Sequence, residues 1–212
     1  MDRPTWNELY QSGEALPWDT GEPDRHLVAF WKSEKQRARR LLEVGCGTGT
    51  NCVWLARQGS EVLGLDVSAA AVERARERQA HSGVTARFKA ADFLRDDLDE
   101  PPFDLVFDRG CFHVFDAAED RIAFVRNVAR LLGPSGRWLS LIGSTEGAPR
   151  EVGPPRRSAR EVVDAIEPAL RIVELRAVEF DARSPEAPAA WLCLSARRDI
   201  AAQPSTDFGG RE

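Results

Sequence analysis

The chain has 212 residues, of which 42% are hydrophobic and 30% charged, and its formal net charge is −5. This length and composition are typical of one soluble α/β domain, and the acidic balance argues against nucleic-acid or anionic-lipid partners. No apolar run approaches the ~20 residues that a membrane span needs, and the first ten residues do not resemble a secretory signal. We therefore expect a cytoplasmic protein, a monomer or homodimer, without nucleic-acid or membrane partners.

The cysteines show no spacing typical of a metal site or a disulfide framework. They stand at Cys46, Cys52, Cys111 and Cys193. We therefore expect reduced thiols and no bound metal.

Strand-like and helix-like segments alternate along the chain, which predicts a parallel sheet covered by helices on both faces. Strands are predicted at 39–44, 61–66, 85–90, 103–108, 137–143, 171–180 and 189–197, and helices at 24–36, 49–58, 69–82, 118–132 and 158–170. We expect one domain over 1–198 and a flexible tail over 199–212. Within the domain, 1–36 form an N-terminal lid segment and helix, and 37–198 form the core.

A glycine-rich loop follows the first predicted strand and precedes a helix. Residues 43–51 read EVGCGTGTN, with glycines at 45, 47 and 49. Glycines let the chain turn sharply and let a ligand approach the backbone, while the start of the helix presents free N–H groups. The G-x-G-x-G spacing, with Thr50 next, departs from the G-x-G-x-x-G fingerprint of dinucleotide sites, and no triphosphate-binding loop is present.

Three carboxylates lie at the carboxyl ends of successive predicted strands. Glu43 precedes the first glycine by two residues and suits an ammonium group better than a pyrophosphate. Asp66 ends the second strand, where a carboxylate can accept both ribose hydroxyls of an adenosine. Asp92 follows the third strand and can accept from the adenine amine, with Phe93 beside the ring. Because ligands bind at the carboxyl ends of such strands, these residues predict a ligand like S-adenosylmethionine.

The segments EVGCGTGT, GLDVS, AADF and FDLVFD resemble the motifs of the class I S-adenosylmethionine-dependent methyltransferases, over about residues 20–197. This resemblance implies a Rossmann-like, doubly wound, mostly parallel seven-stranded sheet with an antiparallel last strand pair. It also implies S-adenosylmethionine as cofactor and S-adenosylhomocysteine as product. The expected cofactor-binding residues are Trp18, Glu43, Gly45, Cys46, Gly47, Gly49, Thr50, Asn51, Asp66, Val67, Asp92, Phe93 and Asp108.

A second, shorter resemblance is carried by WDTGEP at 18–23 and DRGCFH at 108–113. Both are similar to segments of the thiopurine and thiol methyltransferase group, whose bacterial members methylate small xenobiotics, natural products and tellurite. In that group the N-terminal segment folds over cofactor and acceptor, which implies that Trp18 lies against one of them. The expected substrate-binding residues are Trp6, Tyr10, Trp18, Arg109, Phe112, His113 and Arg156.

Methyl transfer from a sulfonium mainly requires that donor and acceptor be aligned and water excluded. A thiol is partly ionised near neutral pH without a base, so a thiol or other soft nucleophile is the favoured small-molecule acceptor. An O- or N-methyltransferase of an aromatic compound would more often need a base. A non-catalytic cofactor-binding module is the third possibility.

Two residues after the fourth predicted strand are candidates for catalysis. His113 is the candidate general base, unless it packs between its neighbouring phenylalanines. Asp108 orients cofactor or acceptor, unless it caps the next turn. Arg109 either holds an anionic acceptor or is a surface residue, and the loop 144–157 is either a second lid or a solvated connection.

Overall fold

The computed structural model describes residues 5–33, 39–147, 155–183 and 187–198. The tail expected over 199–212 lies outside the described residues, as does the middle of the 144–157 loop. The strands are β1 (Arg40–Val44), β2 (Glu61–Asp66), β3 (Arg87–Ala90), β4 (Phe103–Arg109), β5 (Leu132–Gly143), β6 (Leu170–Glu179) and β7 (Ala189–Arg197). The helices are α1 (Trp6–Gln11), α2 (Arg25–Ser33), α3 (Thr50–Arg57), α4 (Ala69–Ala80), α5 (Ala118–Leu131) and α6 (Ala159–Ile166), with a 3₁₀ turn at Phe112–Val114.

The seven strands form one sheet in the order β3-β2-β1-β4-β5-β7-β6. β1 pairs in parallel with β2 on one side and β4 on the other, and β7 runs antiparallel between β5 and β6. This confirms the predicted sheet and its antiparallel last pair. The strand order reverses beside β1, so the carboxyl ends of β1, β2 and β4 border the crevice where open α/β sheets bind ligands.

Hydrophobic side chains fill both faces of the sheet. In β4, Val106 belongs to the cluster that contains Trp138, whereas Leu105 and Phe107 belong to the opposite cluster with Leu27. This alternation is what a strand buried on both faces produces. Among the described helices, none combines the length and the apolar character that crossing a bilayer requires.

The largest differences from the predicted boundaries lie at the end of α6 and at the start of β5. The helix expected over 158–170 ends at Ile166, because Pro168 has no N–H group to continue it. The helix expected to reach 132 ends at Leu131, and β5 begins at Leu132 rather than at 137. Pro134 disfavours helical geometry at the residue before it, so the chain is already extended there.

Helix α1 is held against the start of α4. Thr5 caps α1 in a reciprocal pair with Glu8. The side-chain oxygen of Asn7 accepts hydrogen bonds from Ser68 Oγ and from the backbone N–H of Ala70, at 3.1 and 3.0 Å. These contacts bring the N-terminal segment to the ligand-binding edge of the sheet.

A matched pair of glycine substitutions tests the packing below the glycine loop. Gly49 and Gly83 both have positive φ, 76° and 72°, but a Cβ on Gly49 would lie 2.9 Å from Ala75 and Phe88, whereas nothing lies within 4 Å at Gly83. Each substitution to alanine brings ~1–2 kcal/mol of backbone strain, and Gly49→Ala adds ~1–3 kcal/mol of overpacking. Urea unfolding should show Gly49→Ala as the less stable variant. Equal stabilities would contradict the close packing.

Candidate active site

The glycine loop between β1 and α3 takes a backbone path that favours glycine. Gly45, Gly47 and Gly49 have φ values of 71°, 52° and 76°. A Cβ on Gly47 would lie 2.8 Å from the hydroxyl oxygen of Tyr10, so the N-terminal segment rests directly on the loop. The loop is tied to β2 because Gly47 N–H donates to Asp66 Oδ2 at 2.9 Å.

Asp66 lies at the end of β2 and is 8% exposed. Its second oxygen, Oδ1, accepts from Ser68 N–H at 2.9 Å, and burial raises the pKa of this carboxyl above its usual range. Each carboxylate oxygen keeps a further lone pair for a ligand hydroxyl. The next residue, Val67, is 57% exposed, which leaves an apolar surface beside Asp66.

Glu43 is almost completely buried at the base of the glycine loop, with 2% exposure. Oε1 accepts from Asn51 Nδ2 at 2.8 Å and Oε2 accepts from the thiol of Cys52 at 2.9 Å. Burial raises the pKa of Glu43 to about 7, although the two donors and the positive charge of Arg109 oppose the shift. Glu43 is therefore close to half ionised at neutral pH, and a cationic ligand group would favour its charged form.

Beside the contact between Tyr10 and Gly47, the glycine loop and the N-terminal segment border a cleft. Its lining residues are Tyr10, Trp18, Asp19, Thr20, Glu22, Asp24, Glu43, Gly45, Cys46, Gly47, Thr48, Thr50, Asn51, Arg109 and Asp181. The hydroxyl of Thr50 is buried without a hydrogen-bond partner among the described residues, so a ligand can supply one. With the buried carboxylate of Glu43, the backbone of the glycine loop, and Asp66 fixed beside that loop, the cleft fits the amino-acid end of S-adenosylmethionine.

The aromatic residues of the N-terminal segment divide between packing and the cleft. Tyr10 is buried and accepts a hydrogen bond from Trp18 Nε1 at 3.3 Å. Trp6 and Trp18 meet edge to face, with ring centroids 5.8 Å apart, and stay 41% and 38% exposed. Tyr10 thus anchors the segment, and both Tyr10 and Trp18 line the cleft, whereas Trp6 does not.

Some of the predicted cofactor residues do not line this cleft: Gly49, Asp66, Val67, Asp92, Phe93 and Asp108. The side chain of Asp92 is one-third exposed, and its Oδ1 accepts from Leu94 N–H at 2.9 Å. Phe93 is 5% exposed and packs on Phe124, with ring centroids 4.7 Å apart. The expected contact of the Phe93 ring with adenine therefore has no support from its position in the core, and the role of Asp92 stays a prediction.

Asp108 is fully buried at the end of β4, and donors occupy both of its oxygens. Oδ1 accepts from the N–H groups of Cys111 and Phe112, and Oδ2 accepts from Trp138 Nε1 at 2.9 Å. Burial raises the pKa of Asp108 to about 6. These contacts are those of a residue that caps the turn after β4.

The structure corrects the expectation for Phe112. This residue is fully buried, and its ring lies 5.7 Å from that of Phe124 and 5.6 Å from that of Trp138. The side chain belongs to the core cluster that contains Phe124 and Trp138, and it does not line the cleft. The position of Phe112 within DRGCFH did not indicate that its side chain points into the core.

His113 and Arg156 are also bound within the protein. His113 is 3% exposed, and its Nδ1 accepts the backbone N–H of Gly143 at 2.6 Å, so the neutral ring carries its proton on Nε2. Arg156 Nε donates to Ser144 O at 3.0 Å, and its Nη2 donates to the carbonyl of Thr145. Arg156 therefore braces its own loop, and neither residue lines the cleft described above.

The structure also brings in residues that sequence reasoning missed. Asp24 caps α2 and forms an ion pair with Arg109 at 2.9 Å. Arg78 Nε donates to Thr48 O at 2.9 Å, while the Thr48 hydroxyl donates to Asp19 Oδ2 at 2.8 Å. An Asp before a helix is a recognisable cap, but its pairing with Arg109 is a long-range contact without a local pattern.

Comparison with known proteins agrees with this geometry. Residues 41–136 match the family described as "Methyltransferase domain". Probable thiol methyltransferase 2 from Arabidopsis thaliana is 32% identical over 154 residues, which cover 71% of this chain and 65% of that protein. Thiocyanate methyltransferase 1 from Brassica oleracea is 29% identical over 180 residues, which cover 83% of this chain and 75% of that protein.

A solved structure with the same fold is described as "Conversion of a Disulfide Bond into a Thioacetal Group during Echinomycin Biosynthesis". It is 27% identical, with a TM-score of 0.78, over 91% of each chain. The sheet order, the glycine-loop site and these matches define an S-adenosylmethionine-dependent methyltransferase. The chain belongs to the class I family of these enzymes. Thiol and thiocyanate methyltransferases are among the proteins to which it is similar.

The raised pKa of Glu43 predicts a pH-dependent affinity for S-adenosylmethionine. Glu43 is mostly neutral below about pH 7 and ionises as the pH rises through its pKa, and only the charged form attracts an ammonium group. The charged or titratable groups around it are Asp24, Arg109 and Cys52. We expect the dissociation constant to fall by up to ~10-fold per pH unit below that pKa and to level off above it.

Calorimetric titration from about pH 6 to about pH 8 checks this expectation. Glu43→Gln should bind more weakly and lose the pH dependence. Methylthioadenosine, which lacks the ammonium group, is the control ligand and should bind equally across the range. An unchanged pH dependence in Glu43→Gln would contradict the assignment.

Proposed function

We propose that the protein transfers the methyl group of S-adenosylmethionine to a small-molecule acceptor, with a thiol or other soft nucleophile favoured. The observation that carries the proposal is the cleft in which the glycine loop and Glu43 lie beneath Trp18 of the N-terminal segment. The names of the two plant relatives support a small sulfur acceptor. S-adenosylmethionine, when bound, supplies a methyl group already activated on a sulfonium.

The residues of the cleft contribute binding and orientation. Glu43, held by Asn51 and Cys52, provides a buried negative charge for the ammonium end. Asp66, fixed by the N–H groups of Gly47 and Ser68, provides oxygens for the ribose. Trp18 and the segment around it cover the cleft and exclude water, which favours reaction between a thiolate and a sulfonium because the two charges neutralise each other.

The two candidate bases already accept hydrogen bonds within the protein, which supports an acceptor that needs no base. The Nδ1 lone pair of His113 is engaged by Gly143 N–H, and both oxygens of Asp108 accept hydrogen bonds from buried donors. An acceptor that ionises without help is therefore the better fit. A thiol has a pKa of about 8.5 and meets this condition, whereas an alcohol does not.

An acceptor panel tests the proposed function. Purified protein is mixed with S-adenosylmethionine and small thiols, phenols, amines, thiocyanate, selenite or tellurite, and S-adenosylhomocysteine is followed by mass spectrometry. We expect turnover with thiols. Asp66→Ala should lower it ~10-fold or more, since a charged hydrogen-bond acceptor is lost. Asp97→Ala is the matched control, because its carboxylate is 91% exposed, and it should retain activity.

Base-assisted methylation and a non-catalytic module give different results in the same assay. For a thiol at saturating cofactor, the rate should rise with pH toward ~8.5. Turnover of phenols or amines alone that His113→Gln abolishes would instead establish base-assisted O- or N-methylation. Tight cofactor binding without turnover on any acceptor would favour a non-catalytic module.

A further inference from the structure

Arg109, the last residue of β4, is hydrogen-bonded to three residues, two in the N-terminal segment and one after β6. Its Nε donates to Asp24 Oδ2 at 2.9 Å, Nη1 donates to Trp18 O at 3.2 Å, and Nη2 donates to the carbonyl of Asp181. The guanidinium carbon also lies 5.3 Å from the ring centre of Phe180. Each guanidinium nitrogen thus has an acceptor within the protein, although the two terminal nitrogens each carry a second N–H group. The positive charge is paired with Asp24, so an anionic acceptor would have to compete with that carboxylate.

The ion pair between Arg109 and Asp24 is buried. The two side chains are 12% and 1% exposed, and the other oxygen of Asp24 accepts the N–H groups of His26 and Leu27 at the start of α2. Removing one member of a buried pair leaves an uncompensated charge. The pair therefore fixes where the N-terminal segment joins α2.

A continuous hydrogen-bonded path links this ion pair to the cofactor cleft. Asp24 N–H donates to Asn51 Oδ1 at 2.9 Å, and Asn51 Nδ2 donates to Glu43 Oε1 at 2.8 Å. Arg109 continues the path to the backbone of Trp18 in the cover of the cleft. The guanidinium group of Arg109 thus connects the path that ends at Glu43 with Trp18, which covers the cleft.

We propose that Arg109 is a positioning residue that holds the N-terminal segment over the bound cofactor, and that it does not bind an anionic acceptor. The proposal rests on the proposed function only in that S-adenosylmethionine occupies the cleft. Loss of Arg109 removes the hydrogen bond to Trp18 O and leaves Asp24 without its ion pair. The N-terminal segment is then no longer held over the cleft, and the hydrogen bonds from Asp24 through Asn51 to Glu43 lose their support. The first effect is on the affinity for the cofactor, before any acceptor binds.

The test measures the dissociation constant of S-adenosylmethionine by calorimetry in the absence of acceptor. We expect Arg109→Gln to weaken binding ~10-fold or more. Arg109→Lys should be intermediate, because an ammonium can pair with Asp24 but lacks the planar fork that reaches the carbonyls. Arg176→Gln is the matched control, since Arg176 is half exposed on β6 and pairs with Glu174, and it should bind normally.

A double-mutant cycle asks whether Arg109 acts through Asp24. Asp24→Asn should weaken cofactor binding about as much as Arg109→Gln, and the double variant should be little worse than either single variant. In Arg109→Ala, millimolar guanidinium ion should restore affinity, which a folding defect would not allow. Hydrogen exchange should show that cofactor protects residues 5–24 in the wild type but much less in Arg109→Gln.

Two different results would contradict the proposal for Arg109. Unchanged cofactor affinity in Arg109→Gln, together with a raised KM for the acceptor, would overturn the proposal and assign Arg109 to the acceptor. Weakened binding that is additive with Asp24→Asn and insensitive to guanidinium would reduce Arg109 to a general structural role. The test measures binding and needs no turnover. If wild-type protein binds S-adenosylmethionine but methylates none of the acceptors, the proposed function fails, whereas the proposal for Arg109 can still be tested.

Discussion

The hydrogen bond from Gly47 N–H to the carboxylate of Asp66 joins the ends of β1 and β2, and the cofactor cleft is built around it. It requires that the loop turn through left-handed geometry, which glycine alone adopts without strain. The same missing side chain lets the hydroxyl of Tyr10 approach Gly47 closely. One backbone geometry therefore fixes the acid that we propose for the ribose hydroxyls and lets the N-terminal segment pack on the glycine loop.

Buried carboxylates at the same sheet edge perform different tasks because their hydrogen-bond partners differ. Asp108 accepts from three donors of the protein and stabilises the turn after β4. Glu43 has two donors but borders the cleft, so its charge remains available to a cationic ligand. Burial raises the pKa of both groups, yet only the open side of Glu43 gives that shift a role in binding.

The sheet and the glycine loop were predictable because each depends on a local pattern. Strand-like segments that alternate with helix-like ones predicted all seven strands, and three glycines before a helix predicted the loop. The direction of Phe93 and Phe112 was not predictable, since an aromatic residue beside a motif can face the ligand or the core equally well. The ion pair of Asp24 with Arg109 was missed because tertiary packing alone brings those two residues together.

A crystal structure with S-adenosylhomocysteine bound tests the central claim most directly. The account predicts that the ribose hydroxyls lie at hydrogen-bond distance, about 2.7 Å, from Asp66, and that the ammonium end lies over the glycine loop toward Glu43, beneath Trp18. A product molecule whose amino-acid end points away from Glu43, or whose ribose does not contact Asp66, would contradict the account.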